Sequence, residues 1–158
     1  MKTTTQIAAH VRALHFGGNW TDVNLKDTLS DVDWQQATIK INSFNTIAAL
    51  VYHINYFIDA VIPVLQGRNL DASDKFSFNH PPIESQEDWD NLMYKIWTDA
   101  ETLAILIEKL PDSTLWEDFW EDKYGNYYKN LQGIVEHSHY HLGQIVLVKK
   151  MILQETKN

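Results

Sequence analysis

Three of the seven histidines lie within five positions, in the segment EHSHYHLGQ at residues 136–144. The apolar spacing around this segment predicts a helix, and residues four apart on a helix lie on one face. His137 and His141 have that spacing, whereas His139 points to a different face. Two imidazoles one turn apart are a familiar helical clamp for a divalent metal ion. The segment therefore indicates a metal site, although such a pair also occurs without a metal.

The two histidines of the pair fall within the apolar face of this helix. With Ile134 at zero and about 100° per residue, His137 lies at about 300° and His141 at about 340°. His139 lies at about 140°, off the apolar face, and is expected nearer the surface. Burying both rings of the pair places four ring nitrogens in an apolar layer, where each needs a partner. A divalent cation lowers that cost by binding one nitrogen of each ring.

A third ligand must come from another helix, and His53 is the candidate. It lies in an apolar stretch between Tyr52 and Ile54, at the edge of the apolar face on a helical wheel. That position suits a side chain that points into a cleft between helices. The alternative is a core histidine that is hydrogen-bonded to a carbonyl or a tyrosine. Taken together with His137 and His141, the three-histidine site is the better interpretation.

Four helical stretches position these residues, and the sequence has no alternating strand pattern of any length. Pro63 lies within the second stretch and predicts a kink or an early fraying near Asp59. Four long amphipathic helices in one small domain predict an all-α four-helix bundle. The stretches run from about Thr4 to His15, from Asn45 (a candidate N-cap) to Gly67, from Ser85 to Leu110 and from Asn126 to about Leu153.

Two segments between these stretches have features of their own. Residues 16–44 predict two short helices, capped by Asp22 and by Ser30 or Asp31. Residues 67–85 form a long polar connection. At about 3.3 Å per residue it could span about 60 Å, about twice the length of a 20-residue helix. It could therefore carry the chain along the whole bundle and leave the second and third helices parallel.

The composition excludes several classes of function. With 158 residues, 44% hydrophobic and 22% charged, the chain predicts one globular domain over residues 1–158. The formal net charge of −8 disfavours a nucleic-acid surface. The lack of cysteine excludes disulfides, thiolate ligands and a cysteine nucleophile. No apolar run approaches the about 18 residues of a membrane span, and the N-terminus lacks the apolar core of a signal peptide, so a cytoplasmic protein without membrane contact is expected.

The histidine pattern resembles that of the DinB-like superfamily, which also includes the YfiT-like proteins. That family has one histidine in the second helix and His-x-x-x-His just before Gly-Gln in the fourth. This pattern matches His53, His137, His141 and Gly143-Gln144, and the segment GGNWTDVNLKDTLSDVDWQQA resembles the one that precedes the second helix. The chain departs from the pattern by placing His139 within the clamp. The resemblance implies an up-down-down-up bundle, a homodimer and a divalent ion, usually zinc or nickel, held by the three histidines.

The resemblance also implies a reaction. Some relatives join a low-molecular-weight thiol, such as bacillithiol or mycothiol, to a small-molecule electrophile. A cation held by three neutral imidazoles keeps positions open, where it can bind a thiol as thiolate or lower the pKa of water to about 7. We therefore expect a thiol-dependent S-transferase. The alternatives are a metal-dependent hydrolase and a non-catalytic dimeric bundle whose histidines are buried or hold a structural metal.

Four further residues are candidates for a pocket around the metal. Gln144, one turn past His141, could contact a ligand histidine or the substrate. Tyr52, Tyr56 and Tyr140 are candidate hydrogen-bond donors. A pocket lined by tryptophan and tyrosine favours catalysis, whereas a closed site with a fourth protein ligand favours a structural role.

Overall fold

The computed structural model describes residues 2–155, and six α-helices contain most of them. Within the described residues there is no β-strand, so the all-α prediction is confirmed. Two of the helices are short, and the other four are the long helices that the sequence predicts. In chain order the helices are α1 (Thr3–Phe16), α2 (Leu25–Leu29), α3 (Trp34–Thr38), α4 (Ile47–Leu65), α5 (Gln86–Lys109) and α6 (Tyr127–Glu155).

The helix α5 starts after Ser85, as predicted, and the N-cap of α4 lies one residue after the predicted one. Ser85 is the N-cap of α5, and its hydroxyl accepts a hydrogen bond from the backbone N–H of Asp88. The N-cap of α4 is Thr46, whose hydroxyl accepts from the N–H of Ala49, and not Asn45. Both residue types cap helices well, so the sequence locates the helix start better than the capping residue.

The caps of the two short helices also differ from the prediction. Asn24 caps α2, and its side-chain oxygen accepts from the N–H of Asp27. Asp33 caps α3 and forms a capping box with Gln36. The prediction of Asp22 and of Ser30 or Asp31 as caps is therefore wrong by two or three residues. Residues 16–44 contain several capping residue types close together, and local chemistry alone does not choose among them.

Pro63 does not end α4 early. The helix continues to Leu65, so the predicted early fraying near Asp59 is wrong, whereas the alternative of a kink stays a prediction. A proline in the last turn removes only the hydrogen bond to the carbonyl four residues earlier. That residue, Asp59, is exposed, so its backbone can be hydrated instead.

The core lies between the four long helices. α1 packs against α5 and α6, and α4 packs against the same two helices. Trp89 of α5 is buried and donates its indole N–H to the carbonyl of Val32 at 2.9 Å, which holds residues 16–44 against the long helices. Other fully buried side chains include Ile7, Leu14, Ile47, Ile54, Ile58, Leu103, Ile107 and Ile145.

The apolar character of α4 is greater than the sequence analysis indicates. Ile47–Leu65 has a mean hydropathy of 1.6 and is long enough to cross a membrane by length and composition alone. The prediction that no apolar run approaches this length is therefore wrong. In the structure 56% of the most apolar 18-residue stretch of this helix is buried inside the protein, as in the core helix of a globular domain.

The long connection between α4 and α5 is tied to α4. The hydroxyl of Tyr56 donates to the carbonyl of Ser73 and accepts from its N–H, both at 2.9 Å. A 3-10 turn, Asp74–Phe76, follows, and the buried hydroxyl of Ser77 donates to the carbonyl of Asp74. These bonds place the next residue of the connection, Phe78, beside the middle of α4.

Candidate metal centre

Two neighbouring helices bring three imidazoles together. His53 lies in the middle of α4, and His137 and His141 lie one turn apart on α6, which packs against α4. His53 and His141 are buried, at 4% and 8% exposure, and His137 is half-buried. The face predicted from the helical wheel is therefore the one that points into the protein.

The ring nitrogens of this cluster are close enough for one ion. Nε2 of His53 and Nε2 of His137 are 3.0 Å apart. One nitrogen from each of the three rings lies within 4.8 Å of the others. Two nitrogens bound to one zinc ion at about 2.1 Å cannot be more than about 4.2 Å apart. A pair of nitrogens at the 4.8 Å limit would therefore have to approach by about 0.6 Å or more to share an ion. Among the described residues, no carboxylate joins the three histidines as a fourth ligand.

Gln144 fixes the orientation of one ring. Nδ1 of His141 donates to Oε1 of Gln144 at 2.8 Å. A histidine that donates from Nδ1 carries its lone pair on Nε2, so this contact leaves Nε2 of His141 free to bind a cation. Gln144 thus contacts one of the three histidines of the cluster, and any contact that it makes with a substrate stays a prediction.

Aromatic rings enclose His53 and His137. Phe78 stacks on the imidazole of His53, with ring centroids 3.8 Å apart and planes 7° apart. The ring of Phe57 is roughly perpendicular to both imidazoles, with its centroid 5.2 Å from that of His53 and 4.8 Å from that of His137. These rings exclude water from one side of the cluster and hold both imidazoles in place.

The surroundings favour neutral imidazoles. Burial, and next the neighbouring His141, lower the pKa of His53 below its ordinary value. Burial lowers the pKa of His137 to about 4, and His141 and His53 act in the same direction. Asp74 acts in the opposite direction on both groups. At neutral pH these two rings are therefore uncharged, which is the form that binds a metal ion.

The donor set fits a divalent cation better than it fits a hydrogen-bonded core. Nδ1 of His53 is buried and makes no hydrogen bond of normal geometry with any described residue, although the backbone of Ser77 is close enough to act on the pKa of His53. In a cluster of three imidazoles, most nitrogens have only another imidazole nitrogen as a neighbour. The close contact between His53 and His137 needs one hydrogen atom between the two nitrogens, which one ring donates and the other accepts. A cation would use one lone pair from each ring and remove this conflict.

The three candidate tyrosines lie in different places. Tyr140 is 66% exposed, and its ring edge contacts His141 at a centroid distance of 4.9 Å. Tyr56 uses its hydroxyl to hold Ser73, and Tyr52 packs against Tyr56 and His80. The structure thus brings one of these tyrosines to the cluster, while the other two support the connection between α4 and α5.

His139 lies outside the cluster. It is half-buried, and its Nδ1 is 3.0 Å from the carbonyl oxygen of Val135 on the same helix. Its Nε2 is 3.5 Å from the side-chain nitrogen of Asn19. The assignment of His139 to a different face from the pair is therefore correct.

A cavity of about 540 Å³ lies beside His137. Its walls are mostly apolar, and its aromatic lining residues are Phe57, Phe119 and Tyr124. Phe57 lies four residues after His53, so helical spacing could have identified it. Phe78 lies on a loop, and no local sequence signal pairs it with His53.

Replacing Gln144 by leucine is expected to weaken metal affinity by about 10- to 100-fold, because the ring of His141 loses the acceptor that sets its orientation. Competition with a chromophoric chelator measures this affinity. Gln144→Glu keeps an acceptor at the same position and serves as the matched control. Equal affinities of the leucine variant and the wild type would contradict a role for this hydrogen bond.

Comparisons of this chain with protein-family models, with curated proteins and with solved structures give no match. The histidine cluster and the cavity beside it are therefore the features from which its function is inferred.

Proposed function

We propose that this chain is a metal-dependent enzyme of the DinB-like superfamily, with its long helices in an up-down-down-up bundle. The observation that carries the proposal is the convergence of His53, His137 and His141, whose nitrogens lie within 4.8 Å of one another. The packing of α1 and α4 against the same two helices, α5 and α6, is consistent with a four-helix bundle. The connection between α4 and α5 is long enough for a crossover between parallel helices, as in helix bundles with long crossover connections.

The three histidines would hold a divalent ion, zinc or nickel. Their nitrogen donors suit both ions, and the neutral form of His53 and His137 favours binding at neutral pH. Three protein ligands leave at least one coordination position for a further group, as in catalytic rather than structural zinc sites. The cavity beside His137 gives a small molecule room to approach that position.

The proposed reaction is the transfer of an external low-molecular-weight thiol to an electrophile. When bound, the ion would supply a Lewis acid that favours the thiolate form of the thiol. The chain contains no cysteine, so the sulfur must come from a second substrate. Its sulfur forms a bond to the electrophilic carbon, the leaving group departs with its electron pair, and the thiol proton passes to solvent.

The side chains of the site then have distinct roles. His53, His137 and His141 would bind the ion, and Gln144 orients His141. Phe57 and Phe78 shield the imidazoles from water on one side. The apolar cavity would hold the electrophile next to the reacting thiol, which raises the rate by proximity.

A thiol-transfer assay tests this proposal. The zinc- or nickel-loaded protein is mixed with bacillithiol, mycothiol, glutathione or cysteine and with 1-chloro-2,4-dinitrobenzene as the electrophile. We expect a rate above the uncatalysed reaction for at least one thiol, and loss of that rate in His137→Ala. Thiol-independent hydrolysis of a p-nitrophenyl ester would instead identify a hydrolase. Metal binding without either activity would identify a structural metal.

We also propose that the protein is a homodimer that uses the outer face of α6. Leu147 is 57% exposed, and it lines one surface groove together with Phe44, which is 48% exposed. Exposed apolar side chains grouped in this way are typical of an interface between proteins.

Light scattering after size-exclusion chromatography is expected to give twice the mass of one chain for the wild type. Leu147→Glu buries a charge in the proposed interface and is expected to give the mass of one chain. Ile105→Glu makes the same change at an exposed residue of α5 and is expected to leave the dimer intact. A dimer that survives Leu147→Glu but not Ile105→Glu would place the interface on α5.

A further inference from the structure

The cavity beside His137 follows one face of α6. Lys129, Gly133 and His137 all line it, and they are spaced four residues apart. Residues at this spacing lie in a row along a helix, so the row covers about 12 Å from the first residue to the last. The opposite wall comes from α4 and the connection that follows it, including Phe57, Val61 and Leu70.

Gly133 keeps the middle of this row open. It lies within a helix of 29 residues, where glycine is among the least favourable residues. A Cβ atom built on Gly133 meets no atom of the described residues within 4 Å, apart from the backbone of its own helix. Neither close packing nor a left-handed backbone therefore accounts for a glycine here. Its absent side chain enlarges the cavity at the point midway between Lys129 and His137.

The two ends of the row carry different chemistry. Nζ of Lys129 makes no ion pair within the part of the chain that the structure describes, and its side chain extends over Gly125, away from His137. The other end holds His137 and Asp74, whose carboxylate acts on the pKa of that histidine. The cavity thus has a free cation at one end, apolar walls in the middle and the proposed metal at the other end.

We propose that this cavity binds an elongated apolar organic anion, with its anionic group at Lys129, its apolar body over Gly133 and its reactive end at His137. The inference rests on the proposed function, because it identifies this anion as the electrophile of the reaction. A cation and an apolar wall together select an amphipathic ligand over a fully polar one, because burial of the body and pairing of the charge both contribute.

Two dyes of similar shape and different charge test the proposal on the metal-loaded protein. The probe is 8-anilino-1-naphthalenesulfonate, an apolar anion whose fluorescence rises in an apolar site. N-phenyl-1-naphthylamine has the same ring systems without the sulfonate. Both dyes are expected to bind the wild type, and Lys129→Met is expected to weaken only the sulfonate, by about tenfold.

A second set of variants fills the cavity with larger side chains. Gly133→Leu is expected to weaken binding of both dyes by at least about tenfold, and Gly133→Ala by less, because the larger side chain occupies more of the space. Gly143→Leu is the matched control, since Gly143 is exposed on the same helix and has no neighbouring atom within 4 Å of its Cβ position. This control is expected to bind both dyes like the wild type. The melting temperature of each variant verifies that it is folded.

Metal content is measured for every variant, so that the two proposals can fail separately. If the protein holds metal and Gly133→Leu binds both dyes like the wild type, the cavity is not the ligand site and this inference is overturned alone. If Lys129→Met weakens the binding of both dyes equally, the proposal that Lys129 binds an anionic group of the ligand is overturned. If no metal binds and Gly133→Leu still loses both dyes, the ligand site stands and the proposed metal-dependent reaction is overturned.

Discussion

Alanine in place of His137 is expected to abolish metal binding, whereas the wild-type protein is expected to hold about one divalent ion per chain. The three imidazole nitrogens lie within 4.8 Å of one another, so the loss of one ring leaves only two protein ligands. The weakening is expected to exceed the about 10- to 100-fold that removal of an outer hydrogen-bonding partner costs. Elemental analysis of untagged protein after dialysis against zinc or nickel measures the effect.

His139→Ala is the matched control for this experiment. His139 lies between His137 and His141 in the sequence, but its Nδ1 faces the carbonyl of Val135. The control variant is therefore expected to keep the ion. Loss of metal from His139→Ala with retention in His137→Ala would show that the ligands are assigned wrongly. A wild-type protein that takes up neither zinc nor nickel would show that the imidazoles are core groups.

The ion is also expected to stabilise the fold. It would connect His53 on α4 to two residues of α6, and an unfolded chain does not hold these ligands together. At a free metal concentration of 100 times Kd the contribution is about 2.7 kcal/mol. In a domain of this size that corresponds to a rise in Tm of roughly 5–10 °C. His137→Ala is expected to show no such rise, and His139→Ala to show all of it.

The sequence is informative about the histidines because helical periodicity is local. Spacing alone assigns His137 and His141 to the buried face and His139 to another, and the structure agrees. The pairing with His53 is different, since 84 residues separate it from His137. It depends on α4 packing against α6, which no local pattern encodes. The prediction that His53 joins His137 and His141 rests on the position of His53 at the edge of an apolar helix face and on the family resemblance.

Features formed by irregular segments were not predictable in the same way. Phe78 stacks on His53 from a loop, and the bonds between Tyr56 and Ser73 tie that loop to α4. The caps at Asn24 and Asp33 depend on where the short helices pack, and several neighbouring residues have equal capping chemistry. In contrast, the regular spacing of Lys129, Gly133 and His137 was present in the sequence, but only the structure shows that it borders a cavity.

His15 is expected to make the fold sensitive to acid. Its side chain is fully buried, and its Nδ1 donates to the carbonyl of Val11 at 2.7 Å. Its Nε2 has no hydrogen-bonding partner among residues 2–155. Burial lowers the pKa of His15 to about 4, and the nearby His139 acts in the same direction. The folded protein therefore holds this imidazole in its neutral form over most of the range in which an exposed histidine becomes charged.

The direction of the pH effect follows from proton binding in the two states. In the unfolded chain His15 has a pKa of 6.5, so between pH 6.5 and about pH 4 the unfolded state binds a proton that the folded state does not. Above pH 6.5 the protonation of His15 does not reduce the free energy of unfolding. Below pH 6.5 the free energy of unfolding falls as the pH falls. At about 1.4 kcal/mol per pKa unit, the loss due to His15 is about 3 kcal/mol between pH 7 and pH 4.

Urea unfolding of the metal-free protein at pH 7 and pH 4 measures this loss. The His15→Leu variant removes the buried imidazole, so its stability is expected to fall by about 3 kcal/mol less than that of the wild type over this interval. Metal-free protein is required because acid also releases a bound ion. His53 and His137 also have lowered pKa values, but they are present in both proteins and cancel in the difference.

His10→Leu controls for the general effect of removing an imidazole from α1. His10 is exposed, so water surrounds its ring in both states and the variant is expected to follow the wild-type pH dependence. If the wild type and His15→Leu lose the same stability between pH 7 and pH 4, then His15 titrates alike in the folded and unfolded chains. That result would require a partner for its Nε2, most simply a buried water, since an imidazolium without one is costly in an apolar interior.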